Sequence, residues 1–268
     1  MLFRSPIGVF DSGLGGLTAL RELRRLMPEE NIVYFGDTGR LPYGEKSREQ
    51  LRCMARQDLE LLCGQDVKAI LVACGTLSSN TPDLLDACAV PCSGVLRTSI
   101  EAMARIPGTG PLGIVATAAT IRSGAFERAL RQACPGREII PVPCPELVPL
   151  IESGHVEADD PLLLDAARRY TAPLRQASAV LLGCTHYGIV EAALRRFLPE
   201  DTALVSAAAC GAGAIRHILE SRDLLGGKGE ERYLVSGDPA VFEEGASRLL
   251  GRSIAGRVFR TPVMRITL

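Results

Sequence analysis

Two cysteines stand in matched surroundings in this sequence. Cys74 follows the apolar run Ala69 to Ala73, and Cys184 follows Ala179 to Leu182 and one glycine, each ahead of a polar turn. Short apolar runs of this kind read as buried strands, so both thiols fall at a strand's carboxyl end, beside backbone N–H groups that stabilise a thiolate. One free cysteine is more often a packing residue than a reactive one. Two in the same setting shift that balance toward chemistry. His186, two residues past Cys184, adds an imidazole close enough to exchange a proton or hold the sulfur ionised.

Further polar groups follow other strands. Asp11-Ser12-Gly13-Leu14-Gly15-Gly16-Leu17 puts a carboxylate and a hydroxyl before a glycine-rich turn that opens a helix. Such a turn offers N–H groups to an anion, although Asp11 or Ser12 as a plain helix cap is the simpler use of a lone motif. Gly36 to Gly44 supplies Asp37, Thr38, a turn fixed at Pro42, then Tyr43 and Gly44. Thr117 and Thr120 follow the run Leu112 to Ala116 and serve equally well as ligand hydroxyls or caps.

The familiar cofactor signatures fail on spacing. Gly13-Leu14-Gly15 lacks the third glycine of a dinucleotide fingerprint, because Thr18 stands there, and Glu45 interrupts a phosphate loop after Gly44. A pyridoxal cofactor needs a Schiff-base lysine, and Lys46, Lys68 and Lys228 are the only lysines, none in an evident pocket. Cys88 and Cys92 lack a second matching pair and read as packing rather than as metal ligands. No cofactor and no metal are expected.

The elements that must position these groups alternate regularly. β-branched apolar runs at 7–10, 31–35, 69–73, 112–116, 138–142, 179–182, 203–205 and 232–235 are separated by amphipathic stretches at 17–27, 48–62, 126–134, 162–175 and 190–198. Strands apolar on both faces that alternate with helices predict an α/β protein of doubly wound, parallel-sheet type, whose ligands sit at the carboxyl ends of the strands. The turn-rich stretch 106–111 marks a domain crossing. The likeness of 69–76 to 179–186 suggests two similar halves.

Composition agrees. With 268 residues, 47% hydrophobic and 23% charged, the chain is long enough to bury a core and too apolar to be disordered. Thirty basic residues against 31 acidic ones, a net charge of -1, remove the electrostatic case for nucleic acid or an anionic membrane as partner. No run approaches the ~18 apolar residues of a membrane span. Nine scattered cysteines without an export signal imply reduced thiols and a cytoplasmic protein.

Five blocks in order give the chain a resemblance over nearly its whole length. They are Asp11 to Leu17; Asp37-Thr38 with Pro42 to Ser47; Cys74 with Thr76; Ala116-Thr117 with Thr120 to Gly124; and Gly183 to Tyr187. Together they resemble the cofactor-independent aspartate/glutamate racemase family, and the His after Cys-Thr resembles its glutamate-specific members. The resemblance implies two pseudo-symmetric, doubly wound parallel-sheet domains with the active site in the cleft between them. Residues 1–97, completed by 209–268, would form one domain and residues 98–208 the other.

It further implies that Cys74 and Cys184 are the two catalytic acid/base residues, with Asp11 and His186 as their proton partners and Asp37 as a further charged group in the site. Substrate contacts would come from Asp11, Ser12, Pro42, Tyr43, Gly44, Gly75, Thr76, Thr117, Thr120, Glu152, Thr185 and His186. The partner is a small molecule, glutamate; a homodimer is the assembly allowed for. The implied activity is interconversion of L- and D-glutamate, supplying D-glutamate for peptidoglycan. Inverting an α-carbon without a cofactor needs a base on each face, and two thiols serve when one is ionised and the other protonated.

Two positions depart from the family. Gly75 stands where its members usually carry Asn, and Gly188 where they carry Pro. The lost amide removes a substrate contact of about 0.5–1.5 kcal/mol. Two other functions fit the same residues: a racemase of another α-acidic compound, and an inactive descendant that only binds an acidic metabolite.

Overall fold

The computed structural model describes residues 4–263 of the 268. Its strands are β1 (Ile7–Asp11), β2 (Ile32–Gly36), β3 (Ala69–Val72), β4 (Cys92–Gly94), β5 (Leu112–Ala116), β6 (Ile139–Pro143), β7 (Ala179–Leu182), β8 (Ala203–Ser206), β9 (Glu231–Val235) and β10 (Val258–Arg260). The α-helices are α1 (Leu17–Leu26), α2 (Arg48–Cys63), α3 (Gly75–Asn80), α4 (Pro82–Asp86), α5 (Val95–Ala104) and α6 (Ala118–Ser123), followed by α7 (Ala125–Ala133), α8 (Leu147–Glu152), α9 (Pro161–Thr171), α10 (Glu191–Arg195), α11 (Ala207–Ser221) and α12 (Pro239–Leu250).

Two sheets form, and every strand pairing in them is parallel. One has the order β10-β9-β2-β1-β3-β4 and the other β6-β5-β7-β8. The segments β2-β1-β3-β4 and β6-β5-β7-β8 repeat one pattern, in which the first strand of each half lies between its second and third. That repeat is the pseudo-symmetry expected from the sequence. The stretch 106–111 links α5 to β5, the first strand of the second sheet, and α11 carries the chain from β8 back toward β9 in the first.

Alternation along each strand sends its side chains to different cores, since successive residues point to opposite faces. In β3 and β7, Ala69, Leu71, Ala179 and Leu181 enter a central core shared by both sheets, where α1, α5, α7 and α11 pack. Val72 with Ile70, and Leu182 with Val180, enter separate outer cores, and Cys74 and Cys184 share that parity. Full burial of a Leu or Ile side chain stabilises by about 1.5–3 kcal/mol. The shared core therefore resists separation of the two sheets.

Helix limits follow local chemistry. Ser47 and Gln50 form a reciprocal capping box that starts α2. Asp160 caps α9 through the N–H groups of Leu162 and Leu163. The helix expected over 162–175 stops at Thr171 and continues as a 3-10 turn at Ala172–Leu174, because Pro173 has no N–H to donate. The one expected over 190–198 shortens to Glu191–Arg195, its end tightened by i to i+3 bonds from Phe197 and Leu198 to Leu194 and Arg195. Among the described residues, no helix is long and apolar enough to cross a membrane.

Candidate active site

A cavity of about 410 Å³ opens where the carboxyl ends of β1 and β3 in one sheet face those of β5 and β7 in the other. Asp11, the last residue of β1, sits in its wall at 1% exposure. One carboxylate oxygen accepts from the Gly13 N–H at 2.8 Å and the other from the Thr185 hydroxyl at 3.3 Å, which ties the first sheet's turn to the second sheet's. Burial raises the pKa of Asp11, opposed by the charge of His186 and by the N–H groups of Gly13 and Gly16. Gly15 is required by close approach: a Cβ there would lie 2.2 Å from His186 Nδ1.

The two thiols reach this cavity from different sheets. Cys74 precedes α3 and its thiol donates to the Ser12 hydroxyl at 3.6 Å. Burial, then the charge of Asp11, pushes Cys74 up to about 12, so it is held as the neutral thiol. Cys184 precedes a 3-10 turn, Thr185–Gly188, and its sulfur lies 3.7 Å from His186 Nδ1. The other ring nitrogen of His186 is 3.2 Å from Glu152, the last residue of α8. Burial pulls His186 down, but its bonds with Cys184 and Glu152 and the charges of Cys184 and Asp11 carry it up to about 10. A cation therefore stands beside the Cys184 sulfur at neutral pH.

The hydroxyls expected of the site converge here. Thr117 caps α6 through the Thr120 N–H, and its hydroxyl also meets that of Thr120 at 2.9 Å; Thr120 in turn lies 3.4 Å from the hydroxyl of Thr76. Capping and cavity lining are thus combined in one residue. Ser12, Pro42, Tyr43, Gly44, Gly75, Thr76, Thr117, Thr120, Glu152 and Thr185 all line the cavity with Asp11, His186 and both cysteines.

Asp37 departs from expectation. It is fully buried and does not line the cavity, because Arg40 (2.6 Å), Ser236 (2.6 Å) and Tyr43 (2.5 Å) enclose its carboxylate behind the cavity wall. Arg40 also pairs with Asp58, and the Tyr43 hydroxyl lies 3.2 Å from that second carboxylate. Burial, and for Asp58 the charge of Asp37, raise both acids despite Arg40. The group positions the Tyr43-Gly44 turn from behind and does not face the ligand space.

Asp11 differs in a smaller way. Its oxygens are engaged by Gly13 and Thr185, and the Cys74 thiol bonds to Ser12, so Asp11 reaches Cys74 through charge rather than a hydrogen bond.

Arg122 and Cys144 are among the cavity residues that sequence reasoning missed. Arg122, near the end of α6, places its guanidinium at the wall and donates to the Gly44 carbonyl at 3.1 Å, bridging the two sides. It lay inside a block that carried the family resemblance, where a cation beside two threonines was the available signal. Cys144 follows β6 as Cys74 follows β3, so the strand-end rule could have found it. It is fully buried, its thiol donates to the Val142 carbonyl at 3.4 Å, and burial raises its pKa.

Gly75 has a structural reason. A Cβ there would meet the Gly183 carbonyl oxygen, on the opposite side, at 2.5 Å. At Gly188 a Cβ would find only ordinary contacts with Thr18 and Ser206. Among the described residues, no group of three or more His, Cys, Asp or Glu is arranged to hold a metal ion.

Two α/β units built on parallel sheets meet at one cleft that a thiol from each lines, and comparison with known proteins assigns the family. The family model for Asp/Glu/Hydantoin racemases matches residues 17–215. The chain is 43% identical over 251 residues to a glutamate racemase of Thermus thermophilus, covering 92% of this chain and 93% of that one. It superposes on the crystal structure of the Thermus thermophilus glutamate racemase in complex with beta-chloro-D-alanine with a TM-score of 0.88 at 39% identity, covering 98% and 99% of the chains. With the Francisella tularensis glutamate racemase in complex with D-glutamate the TM-score is 0.87 at 31% identity, covering 98% of each. The chain belongs to the Asp/Glu/Hydantoin racemase family, a family of isomerases.

Proposed function

We propose that this protein interconverts L- and D-glutamate by transferring protons at the α-carbon between Cys74 and Cys184. The observation that carries the reading is that both sulfurs border one cavity, from different sheets. The names of the similar glutamate racemases support the substrate. The cavity offers it the Thr76, Thr117, Thr120 and Thr185 hydroxyls, with Arg122 and His186 as positive charges facing an acidic ligand.

The asymmetry of the two sides supplies the division of labour. Cys74, held up to about 12, keeps its proton and serves as the acid, and Cys184, whose sulfur lies 3.7 Å from His186 Nδ1, serves as the base. Taking the α-proton on one face and returning another on the opposite face inverts the centre, and the roles exchange in the reverse direction. Threonine hydroxyls and N–H groups at the starts of α3 and α6 stabilise charge developing on the α-carboxylate. In this reading residues 1–97 with 209–268 and residues 98–208 act as the two domains, and the product supplies D-glutamate for cytoplasmic peptidoglycan precursors.

The test is circular-dichroism racemisation with both enantiomers, alongside solvent deuterium incorporation. The protein is expected to exchange the α-hydrogen of either enantiomer. Cys74→Ser and Cys184→Ser are each expected to lose about 10²–10⁴-fold in racemisation. Growth rescue of a D-glutamate-requiring bacterium tests the physiological part. Exchange with another amino acid but not with glutamate would overturn the substrate, and a serine variant that racemises at the parent rate would overturn the mechanism.

A further inference from the structure

Three thiols gather at the amino end of β4, away from the cavity. Cys63 ends α2, Cys88 lies in the connection between α4 and β4, and Cys92 begins β4, paired with Ile70 of β3. The sulfurs of Cys63 and Cys88 are 3.9 Å apart, and all three residues are partly open to solvent. Cys88 and Cys92 line a shallow surface depression with Arg222. None of the three borders the cavity that holds Cys74 and Cys184.

We infer that Cys63 and Cys88 form a thiol modification site at which a hydroperoxide is reduced and an intramolecular disulfide is made, Cys88 reacting first and Cys63 resolving it. In the first step the Cys88 thiolate attacks the peroxide: a sulfur–oxygen bond forms, the oxygen–oxygen bond breaks, and the alkoxide leaves and takes a proton as the alcohol. In the second, the Cys63 sulfur attacks that of the Cys88 sulfenic acid. The sulfur–sulfur bond forms, the sulfur–oxygen bond breaks, and the hydroxide departs as water with the proton from Cys63. Two thiols lose two electrons and two protons, which the peroxide gains as one alcohol and one water.

The arrangement orders these steps. A hydrogen bond from Cys92 lowers Cys88 to about 6, so it is chiefly thiolate at neutral pH. Burial, then the charge and hydrogen bond of Cys88, pushes Cys63 up to about 11. Conversion of Cys88 to the neutral sulfenic acid removes its charge, and Cys63 ionises more readily when it is needed. Cys74 and Cys210, held up to about 12 and about 11, stay protonated and slow to react.

The test treats the purified full chain with near-stoichiometric hydrogen peroxide at neutral pH and maps its peptides without reduction. The expected main product is the Cys63–Cys88 disulfide, formed more than tenfold faster than Cys210 is lost. In Cys63→Ser the resolving thiol is gone, and dimedone is expected to label Cys88. Iodoacetamide alkylation of Cys88 is expected to follow a midpoint of about 6, moving upward in Cys92→Ser. A peroxide-treated chain without that disulfide, no dimedone label in Cys63→Ser, or an alkylation midpoint near the ordinary thiol value of about 8.5 would each overturn the inference.

Discussion

Gly75→Ala places a methyl group into a close approach between the two sides of the cavity. The new carbon would begin 2.5 Å from the Gly183 carbonyl oxygen and must gain roughly 0.5–0.9 Å to reach an ordinary contact. That oxygen is backbone, and its residue is pinned to β5 by the bond from the Gly183 N–H to the Val115 carbonyl at 2.8 Å. No flexible side chain can yield, so the strain is relieved by moving α3 away from the Gly183-Cys184 turn. Overpacking of this kind costs about 1–3 kcal/mol, which in a chain of this size lowers Tm by about 2–12 °C. The movement also separates Cys74 from Cys184, and misplacement of reacting groups by about 1 Å costs about 10²-fold in rate. Racemisation followed by circular dichroism, with a thermal melt of the same sample, reads both effects. Gly75→Asn is expected to behave alike, although it restores the amide usual in the family. Parent-level kcat and Tm in both variants would refute the claim that this approach is part of the working cleft.

Other perturbations separate the parts of the site. Because His186 is held up to about 10 against an ordinary value of about 6.5, its stabilising contribution is complete below about pH 6.5. It is lost as pH rises toward 10, where the folded imidazolium finally gives up its proton; urea unfolding across that range should show the decline, and His186→Gln should flatten it. Glu152→Gln removes the carboxylate 3.2 Å from the imidazole; the alkaline limb of kcat is expected to move to lower pH with KM little changed, and an unmoved limb would count against the pairing. Tyr43→Phe strips a hydroxyl from two buried carboxylates and is expected to cost about 1–3 kcal/mol in denaturant unfolding. Arg122→Ala removes the exposed cation at the cavity wall and is expected to raise KM for glutamate about three- to tenfold with kcat largely retained; unchanged KM would remove Arg122 from substrate binding.

Much of the fold was legible because its strands are buried on both faces. Runs such as Leu112 to Ala116 and Ala179 to Leu182 are continuous apolar stretches, and both strands occupy those limits. What escaped was short or weakly patterned. β4 is Cys-Ser-Gly, with no apolar run to announce it, and β10 spans three residues at the edge of its sheet. α11 is rich in Ala and Gly and gains its place by packing against α1 and α5 rather than by an amphipathic stripe of its own. In the site, strand-end position found Asp11, Cys74 and Cys184, because a parallel sheet carries its polar turns on one edge. The same rule misjudged Asp37, whose side chain turns behind Tyr43 to meet Arg40 and Ser236.

The sequence by itself determined the two parallel sheets, the helices that cover them and the placement of a thiol at the end of one strand in each half, because these depend on local periodicity and on which residues tolerate burial. Only the tertiary structure decided which groups share a field. Asp11 meets Thr185 from the other sheet, Glu152 reaches His186, and Gly183 presses on Gly75. Charge interactions and contact repulsions depend on separation in space, and here they act between residues 34 to 174 positions apart along the chain, where no local pattern records the distance.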